Sequence, residues 1–346
     1  MSALLHTAQQ FADVISEITP LGNGLINDTY RVVAKTGCFV LQRINHQVFA
    51  YPEQIMANLQ ILNQHVQQKT SADIQLQIPA ILTTHTGKVL YQDEQQAYWR
   101  ALTFIADSES VEAIRTLADA EQIGFALGHF HYLLSDLSAE LLYDTLPDFH
   151  IAPAYLHHYQ RIAQQSMLRP DAYCRDFITQ FQGFVDDLET AKHQGLLALR
   201  VTHGDPKINN FLFDTQSSRI ISLIDLDTVK PGLVHYDIGD CLRSCCHDTD
   251  NDSFNLDIAA AILKNYLAQA GQFFSDYDYY FLYPAIRLIP FELGLRFYSD
   301  YLDGNRYFKV TDSQQNLQRA IAQFRLCTSI MAQEAAIQSL IKQAKT

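Results

Sequence analysis

Apolar positions follow two rhythms along this chain, and the change between them divides it. Leu4, Leu5, Ala8, Phe11, Ala12 and Ile15 lie close to a 3.6-residue period, which predicts an amphipathic helix over 3–17. A glycine-bearing turn from Pro20 then runs into a β-rich stretch ending at Val33, and after Thr36 and Gly37 the run Phe39–Ile44 predicts a second strand. Ile55, Met56, Leu59, Ile61, Leu62 and Val66 restore the helical period over 52–68, with Pro52 at a first-turn position where its missing N–H is not needed. Segments 78–82, 88–92 and 97–104 read as strands separated by polar turns.

From Ser110 onward the helical period dominates. Ile123, Ala126, Leu127, Phe130, Leu133 and Leu134 form one apolar stripe, and further helices are expected over 171–194, 236–247, 255–271, 278–302 and 312–344. Within this half only 201–227 reads as β, a hairpin set among helices. The predicted fold class is therefore α+β with two lobes: a small antiparallel-sheet lobe over 1–105, a hinge just after it, and a larger mainly helical lobe over 106–346.

Composition narrows the partners. At 346 residues and 48% hydrophobic content the chain can bury a large core, and its net charge of −13 disfavours nucleic acid or an anionic membrane as a partner. No run approaches the ~18 apolar residues of a membrane helix, and Met1–His6 lacks the basic-then-apolar pattern of a secretory signal, so a soluble, cytoplasmic protein is expected, monomer or homodimer. Six cysteines, at 38, 174, 241, 245, 246 and 327, show no paired spacing and read as reduced, buried thiols rather than a metal or redox centre. His129 and His131 lie on the stripe of a core helix and read as packed histidines. His150, His157 and His158 lack a second cluster that would complete a metal site.

The chemistry concentrates in Val201–Asn210 and in Ile220–Asp227. Asp205, Lys207 and Asn210 fall within six residues, and Asp225 follows at the end of an apolar run. Phosphoryl transfer needs such a set, because the migrating group spreads negative charge over its oxygens while the acceptor hydroxyl must be oriented. Asp205 can accept or orient the hydroxyl proton, Lys207 can neutralise the phosphoryl group, and Asn210 and Asp225 offer the oxygen ligands that Mg²⁺ takes. The spacing His203-x-Asp205-x-x-x-x-Asn210 matches a kinase catalytic loop, with Asp225 in the place of the later metal-binding Asp. Each residue alone would pass for a turn or strand-end residue, but the ordered set does not. Asp237 and Asp240 begin a helix, where they would either brace that loop or simply cap free N–H groups. Gly22 and Gly24 could let backbone N–H groups approach nucleotide phosphates, although two glycines alone favour an ordinary hairpin turn.

With these residues in place, the chain resembles the aminoglycoside phosphotransferase-like kinases. More narrowly it resembles the bacterial N-acetylhexosamine 1-kinases and their mucin-desulfation-type relatives. The matching strings are GNGLINDTY (22–30), FVLQRIN (39–45), RVTHGDPKINNFLFD (200–214), IDLDTVKPG (224–232), YDIGDCLR (236–243) and LRFYSDYLDGNRYF (295–308). The resemblance implies a protein-kinase-like fold with ATP between the lobes, Asp205 as catalytic base, Asn210 and Asp225 as Mg²⁺ ligands, and His203 and Asp237 as supports of the catalytic loop. It places Gly22, Gly24, Asn27, Thr29 and Arg43 against the nucleotide, and Arg296 and Tyr307 against the sugar. Two positions depart from the pattern. The strand that commonly ends Val-Leu-Arg or Val-Leu-Lys here reads Val40-Leu41-Gln42-Arg43, so Arg43 serves only if the register turns it inward, and Leu25 stands where the hexosamine kinases carry His. The expected activity is Mg²⁺- and ATP-dependent phosphorylation of an N-acetylhexosamine at its anomeric hydroxyl. The alternatives are another acceptor, such as a different sugar, an aminoglycoside or an amino alcohol, and a non-catalytic binding protein that kept the fold.

Overall fold

A computed structural model describes residues 3–22, 26–70 and 75–345. Helix α1 (Ala3–Ala8) ends well short of residue 17, and the chain continues into strand β1 (Ile15–Pro20), which pairs antiparallel with β2 (Asp28–Ala34). The helical period that reaches Ile15 is overridden there, because pairing of Ile18 with Val32 and of Pro20 with Tyr30 satisfies the backbone as an edge strand. A tight turn leads into β3 (Gly37–Ile44), and α2 (Pro52–Gln67) then crosses to the strands β4 (Ile81–Leu82), β5 (Tyr91–Gln92) and β6 (Tyr98–Thr103). The sheet is antiparallel in the order β1-β2-β3-β6, with β4 and β5 sharing the far edge of β6.

The two faces of this sheet have different fates. Phe39 and Leu41 of β3 and Trp99 and Ala101 of β6 point toward Ala8 and Val32, closing a small core under α1. The alternate residues, Ile44 and Leu102 among them, face the rest of the molecule, where they join Ile55, Met56, Leu59 and Leu62 of α2. That second core is continuous with the helical half, so α2 packs on the same apolar mass as the residues that follow it.

Beyond β7 (Ser108–Glu109), α3 (Leu117–Leu133) starts from a capping box in which Thr116 and Asp119 satisfy each other's backbone N–H groups. The stretch predicted as one helix over 171–194 is two, α5 (Ala172–Phe181) and α6 (Asp187–His193), parted by a 3-10 turn and preceded by α4 (Ala152–Gln165). Four short strands follow: β8 (Arg200–Thr202), β9 (Phe211–Asp214), β10 (Ile220–Leu223) and β11 (Lys230–Gly232). β9 pairs with β10 and β7, and β8 with β11, so the expected β island at 201–227 extends slightly at both ends. The remainder is α7 (Val234–Cys245), the β12–β13 hairpin (His247–Asp248, Ser253–Phe254), α8 (Leu256–Ala270), α9 (Asp276–Leu302), α10 (Gln315–Ala332) and α11 (Glu334–Lys345). The helix predicted over 312–344 is thus divided at Gln333.

Small residues let α3 and α8 approach: a Cβ at Gly128 would lie 2.7 Å from the Tyr266 carbonyl oxygen. α4, α5, α9 and α10 enclose a further core around Phe177, Phe291, Tyr298 and Phe324. Among the described residues no helix is long and apolar enough to cross a membrane. The cysteines are free thiols, with Cys174, Cys241, Cys245, Cys246 and Cys327 buried and Cys38 partly exposed.

Candidate active site

The β8–β9 connection carries Asp205, Lys207 and Asn210, and its shape is imposed by its neighbours. Gly204 has φ +87°, and a Cβ there would sit 2.6 Å from the Thr228 carbonyl oxygen, so a side chain is excluded on both counts. Asp237, fully buried in α7, accepts the backbone N–H of His203 at 2.6 Å and of Gly204 at 2.9 Å, and His131 Nε2 donates to the same carboxylate at 2.8 Å. Burial alone would raise this carboxyl, but the bond from His131 and the loop N–H groups more than offset it and hold Asp237 below the ordinary carboxylate range. Its bonds go to the loop, not to the N–H groups of its own helix.

His203 is locked from both sides. Its Nε2 donates to the Ile224 carbonyl at 3.0 Å and its Nδ1 accepts the Asp205 N–H at 3.3 Å, the pattern of a neutral imidazole. Burial lowers its pKa in the same sense. The Thr228 hydroxyl donates to the His203 carbonyl at 2.8 Å, tying the loop to the segment after β10.

Asp205 is thus held half-buried, its carboxylate 2.5 Å from Lys207 Nζ. Burial would lower the Lys207 ammonium, yet Asp205 and Asp225 keep it raised, so it stays charged. Asn210 donates its amide N–H to the Asp205 carbonyl at 2.7 Å, which leaves its own carbonyl oxygen as the end able to meet a cation. Asp225 takes a left-handed backbone, φ +64°, and is exposed. The protein packed around its base, with Asp227 and Asp205 beside it, pushes its carboxyl up to about 6 against the pull of Lys207 and Arg100. A carboxyl crowded by like charge is short of positive charge, and the donor set of Asp225, Asn210 and solvent suits Mg²⁺, which keeps several waters. Among the described residues no three His, Cys, Asp or Glu gather into a closed metal cage.

On the sheet side, Gly22 has φ +71° with open space around its Cβ position. Gly24 and Leu25 lie outside the described residues. Asn27 donates to Asp227 Oδ2 at 2.7 Å and accepts the Asn45 N–H at 3.0 Å, while Thr29 Oγ1 accepts from Gln42 Nε2 at 3.0 Å. Arg43 requires a correction. It falls on the strand face opposite to Gln42 and is exposed, where it pairs with Asp28 at 2.7 Å, so no bulge turns it inward. The cation on the cleft side is Arg100 of β6, directly across from Gln42 and bonded both to it and to Asp227. In sequence only alternation marks it, since Arg100 falls between the apolar Trp99 and Ala101.

Arg296 and Tyr307 come together near Asp205. The Arg296 guanidinium lies over the rings of Phe149 and Tyr155, each 5.1 Å away, and of Phe308 at 5.6 Å. Burial opposes its charge, but Tyr155, Glu292, Tyr307 and Asp205 raise its pKa, which places it in the field of the loop carboxylate. The Tyr307 loop is pinned by Asp300, which accepts the Tyr307 and Phe308 N–H groups at 2.8 and 2.9 Å, and the Tyr307 ring is exposed. His150, in sequence only one of three clustered histidines, is buried with φ +65°, bonds Glu292 Oε1 through Nδ1 at 3.0 Å, and reaches the Gly204 carbonyl through Nε2 at 2.8 Å.

The phosphotransferase enzyme family model matches residues 17–284. The chain belongs to that family. As a phosphotransferase it takes a hydroxyl group as acceptor, and solved structures of the same fold include small-molecule kinases. An aminoglycoside phosphotransferase from Alicyclobacillus acidocaldarius aligns over 97% of this chain and 95% of its own at 14% identity, with a TM-score of 0.68. A choline kinase from Cryptosporidium parvum aligns over 99% of both chains at 13% identity, TM-score 0.64. An amicoumacin kinase, solved with AMP-PNP and Ca²⁺, aligns over 93% of this phosphotransferase and 92% of its own chain at 14% identity, TM-score 0.62.

Proposed function

We propose that this phosphotransferase moves the terminal phosphoryl group of Mg-ATP to the anomeric hydroxyl of an N-acetylhexosamine, GlcNAc or GalNAc, giving the sugar 1-phosphate. The lobe over 1–105 holds the nucleotide and the lobe over 106–346 the acceptor and the chemistry. Asp205 orients the acceptor hydroxyl and takes up its proton, and Lys207 neutralises the phosphoryl group in transit. Asn210 and Asp225 would hold Mg²⁺, which would supply positive charge to offset that of the phosphates. Gly22, Asn27 and Thr29 face the nucleotide. His203 and Asp237 fix the loop.

One observation carries the acceptor assignment: Arg296 is held by three aromatic rings within the field of Asp205, next to Tyr307. Rings offer apolar faces for a pyranose, and a guanidinium donates to its hydroxyl and acetamido oxygens. Among the described residues Arg296 forms no ion pair, so its donors remain for a ligand. The second reading keeps the chemistry and takes an amino alcohol or aminoglycoside, in line with the names of the structural neighbours. A cationic acceptor would meet Arg296 with like charge, which favours the neutral sugar. The test is ADP release with Mg-ATP across N-acetylglucosamine, N-acetylgalactosamine, glucose, choline, homoserine and kanamycin. Turnover confined to the N-acetylhexosamines is expected; turnover on choline or kanamycin alone would refute the sugar assignment.

A further inference from the structure

A nucleotide triphosphate entering between the hairpin and the Asp225 loop brings several negative charges and meets two carboxylates, Asp225 and Asp227. Lys207 is taken up by Asp205 at 2.5 Å, on the acceptor side of the site. The cleft-facing residue of β3 is Gln42, which is neutral, and Arg43 faces away toward Asp28. The site needs another cation on the sheet side, and the register supplies one.

Arg100 stands directly across from Gln42, one strand over, roughly 5 Å away in the hydrogen-bonding direction. Gln42 acts as a bracket: its Nε2 donates to Thr29 Oγ1 at 3.0 Å, which aims its Oε1 at the guanidinium, where Nε and Nη2 donate at 3.0 and 2.8 Å. Nη2 also donates to Asp227 Oδ1, and the other Asp227 oxygen accepts from Asn27 at 2.7 Å. The guanidinium therefore lies between the end of the hairpin and the loop that carries Asp225. It is only 1% exposed, and its Nη1 is buried with no hydrogen-bond partner. A guanidinium serving only to join β6 to Asp227 would be expected to use all of its buried donors. This one keeps a prong open toward no protein acceptor.

We propose that Arg100 is the cation that receives the nucleotide phosphates in this phosphotransferase, bracketed by Gln42 and paired with Asp227 until nucleotide arrives. The charge usual on β3 has moved one strand across the sheet, and the neutral Gln42 turns from a missing contact into the group that aims it. A planar guanidinium fork suits phosphate oxygens, and the buried, unpartnered Nη1 together with an Nη2 shared with Asp227 are the donors that a phosphate reaching this point would meet. This inference rests on the kinase chemistry proposed above but not on its acceptor.

The experiment compares dissociation constants for ATP and for adenosine, without Mg²⁺ and without acceptor, by calorimetry. The proteins are the wild type, Arg100→Gln, the doubly neutral Arg100→Gln/Asp227→Asn, and Gln42→Lys/Arg100→Gln. Loss of a charge-assisted contact should weaken ATP by roughly 10- to 100-fold in the first two variants while adenosine changes less than about twofold. Returning a cation to position 42 should recover most of the ATP affinity. If removing the buried charge leaves Arg100→Gln unfolded, the doubly neutral variant carries the same comparison. Unchanged ATP affinity in a folded variant would overturn the assignment, as would parallel losses of ATP and adenosine, which mark a purely structural role. A wild type that binds neither ATP nor GTP would overturn the kinase reading itself, an outcome distinct from a wild type that binds ATP and a variant that does too.

Discussion

Asp237→Asn replaces one carboxylate oxygen by an NH₂ group at a point where three donors converge. The backbone N–H groups of His203 and Gly204 and the imidazole of His131 all point at that carboxylate, and the residue is fully buried. The carboxamide can face only one of its ends toward an acceptor's place, so at least one buried N–H meets another donor. An unsatisfied buried donor costs about 1–3 kcal/mol, and loss of the charged acceptor weakens the remaining bonds as well. We expect a total near ~3 kcal/mol, which at roughly 2 °C per kcal/mol lowers Tm by about 6 °C. The same change releases the loop from Gly204 to Asp205, and a displacement of ~1 Å at a catalytic carboxylate reduces kcat by about 100-fold. The carboxyl of Asp237 lies below its ordinary range in the folded chain, so its contribution is complete above the unfolded value near ~4 and is lost as pH falls through the lower folded value. The Tm gap between wild type and variant should therefore be widest at neutral pH and shrink below about pH 4. Scanning calorimetry at pH 7 and pH 3, with steady-state kinetics at pH 7, measures all of this. A variant with Tm unchanged and kcat within twofold of wild type would refute the support role.

Three further outcomes follow from the packing and the charges. Gly128→Ala puts a methyl group 2.7 Å from the Tyr266 carbonyl oxygen and should cost about 1–3 kcal/mol by denaturant titration, with KM for both substrates unchanged. His150 is raised in the folded chain because Glu292 outweighs burial, so its stabilisation is full below the unfolded value near ~6.5 and is lost as pH rises through the folded value. His150→Gln should accordingly lower Tm more at pH 6 than at pH 9, and an equal drop at both would contradict the pairing. With Asp225 pushed up to about 6, the thermal stabilisation given by Mg²⁺ should weaken as pH falls below that value. Asp225→Asn should remove this Mg²⁺ response, and retention of the full response would exclude Asp225 as a ligand.

The helical half and the candidate loop were legible because their signals are local. Asp205, Lys207 and Asn210, the groups proposed for the chemistry, fall within six residues of chain, and the apolar stripe of α3 reports its own buried face. What stayed hidden depended on partners distant in sequence. Ile15 fits a helical period until Ala34 is known to lie beside it. Arg43 and Gln42 differ only in which face of β3 they occupy, and the pairing with β2 and β6, not the local string, fixes that parity. Arg100 and Asp227 are 127 positions apart, and His150 and Glu292 are 142 apart, so no window along the chain joins them. A charged residue between two apolar strand positions, as Arg100 is, was nevertheless a usable sign that its face was not an ordinary core.

The buried cysteines give the folded chain a built-in clock. Burial pushes the thiols of Cys241 and Cys246 well above their usual range, raises Cys174, and lifts Cys327 to about 12, so none of these four can form the reactive thiolate while enclosed. Cys38, partly exposed on β3 with Arg31 Nη2 at 3.6 Å from its sulfur, stands apart. A thiol-reactive dye should label Cys38 at once and the five buried sites only when their surroundings open. The rates at Cys174 on α5, at Cys241 on α7 and at Cys327 on α10 would time the breathing of three separate helices in a chain that needs no engineered probe.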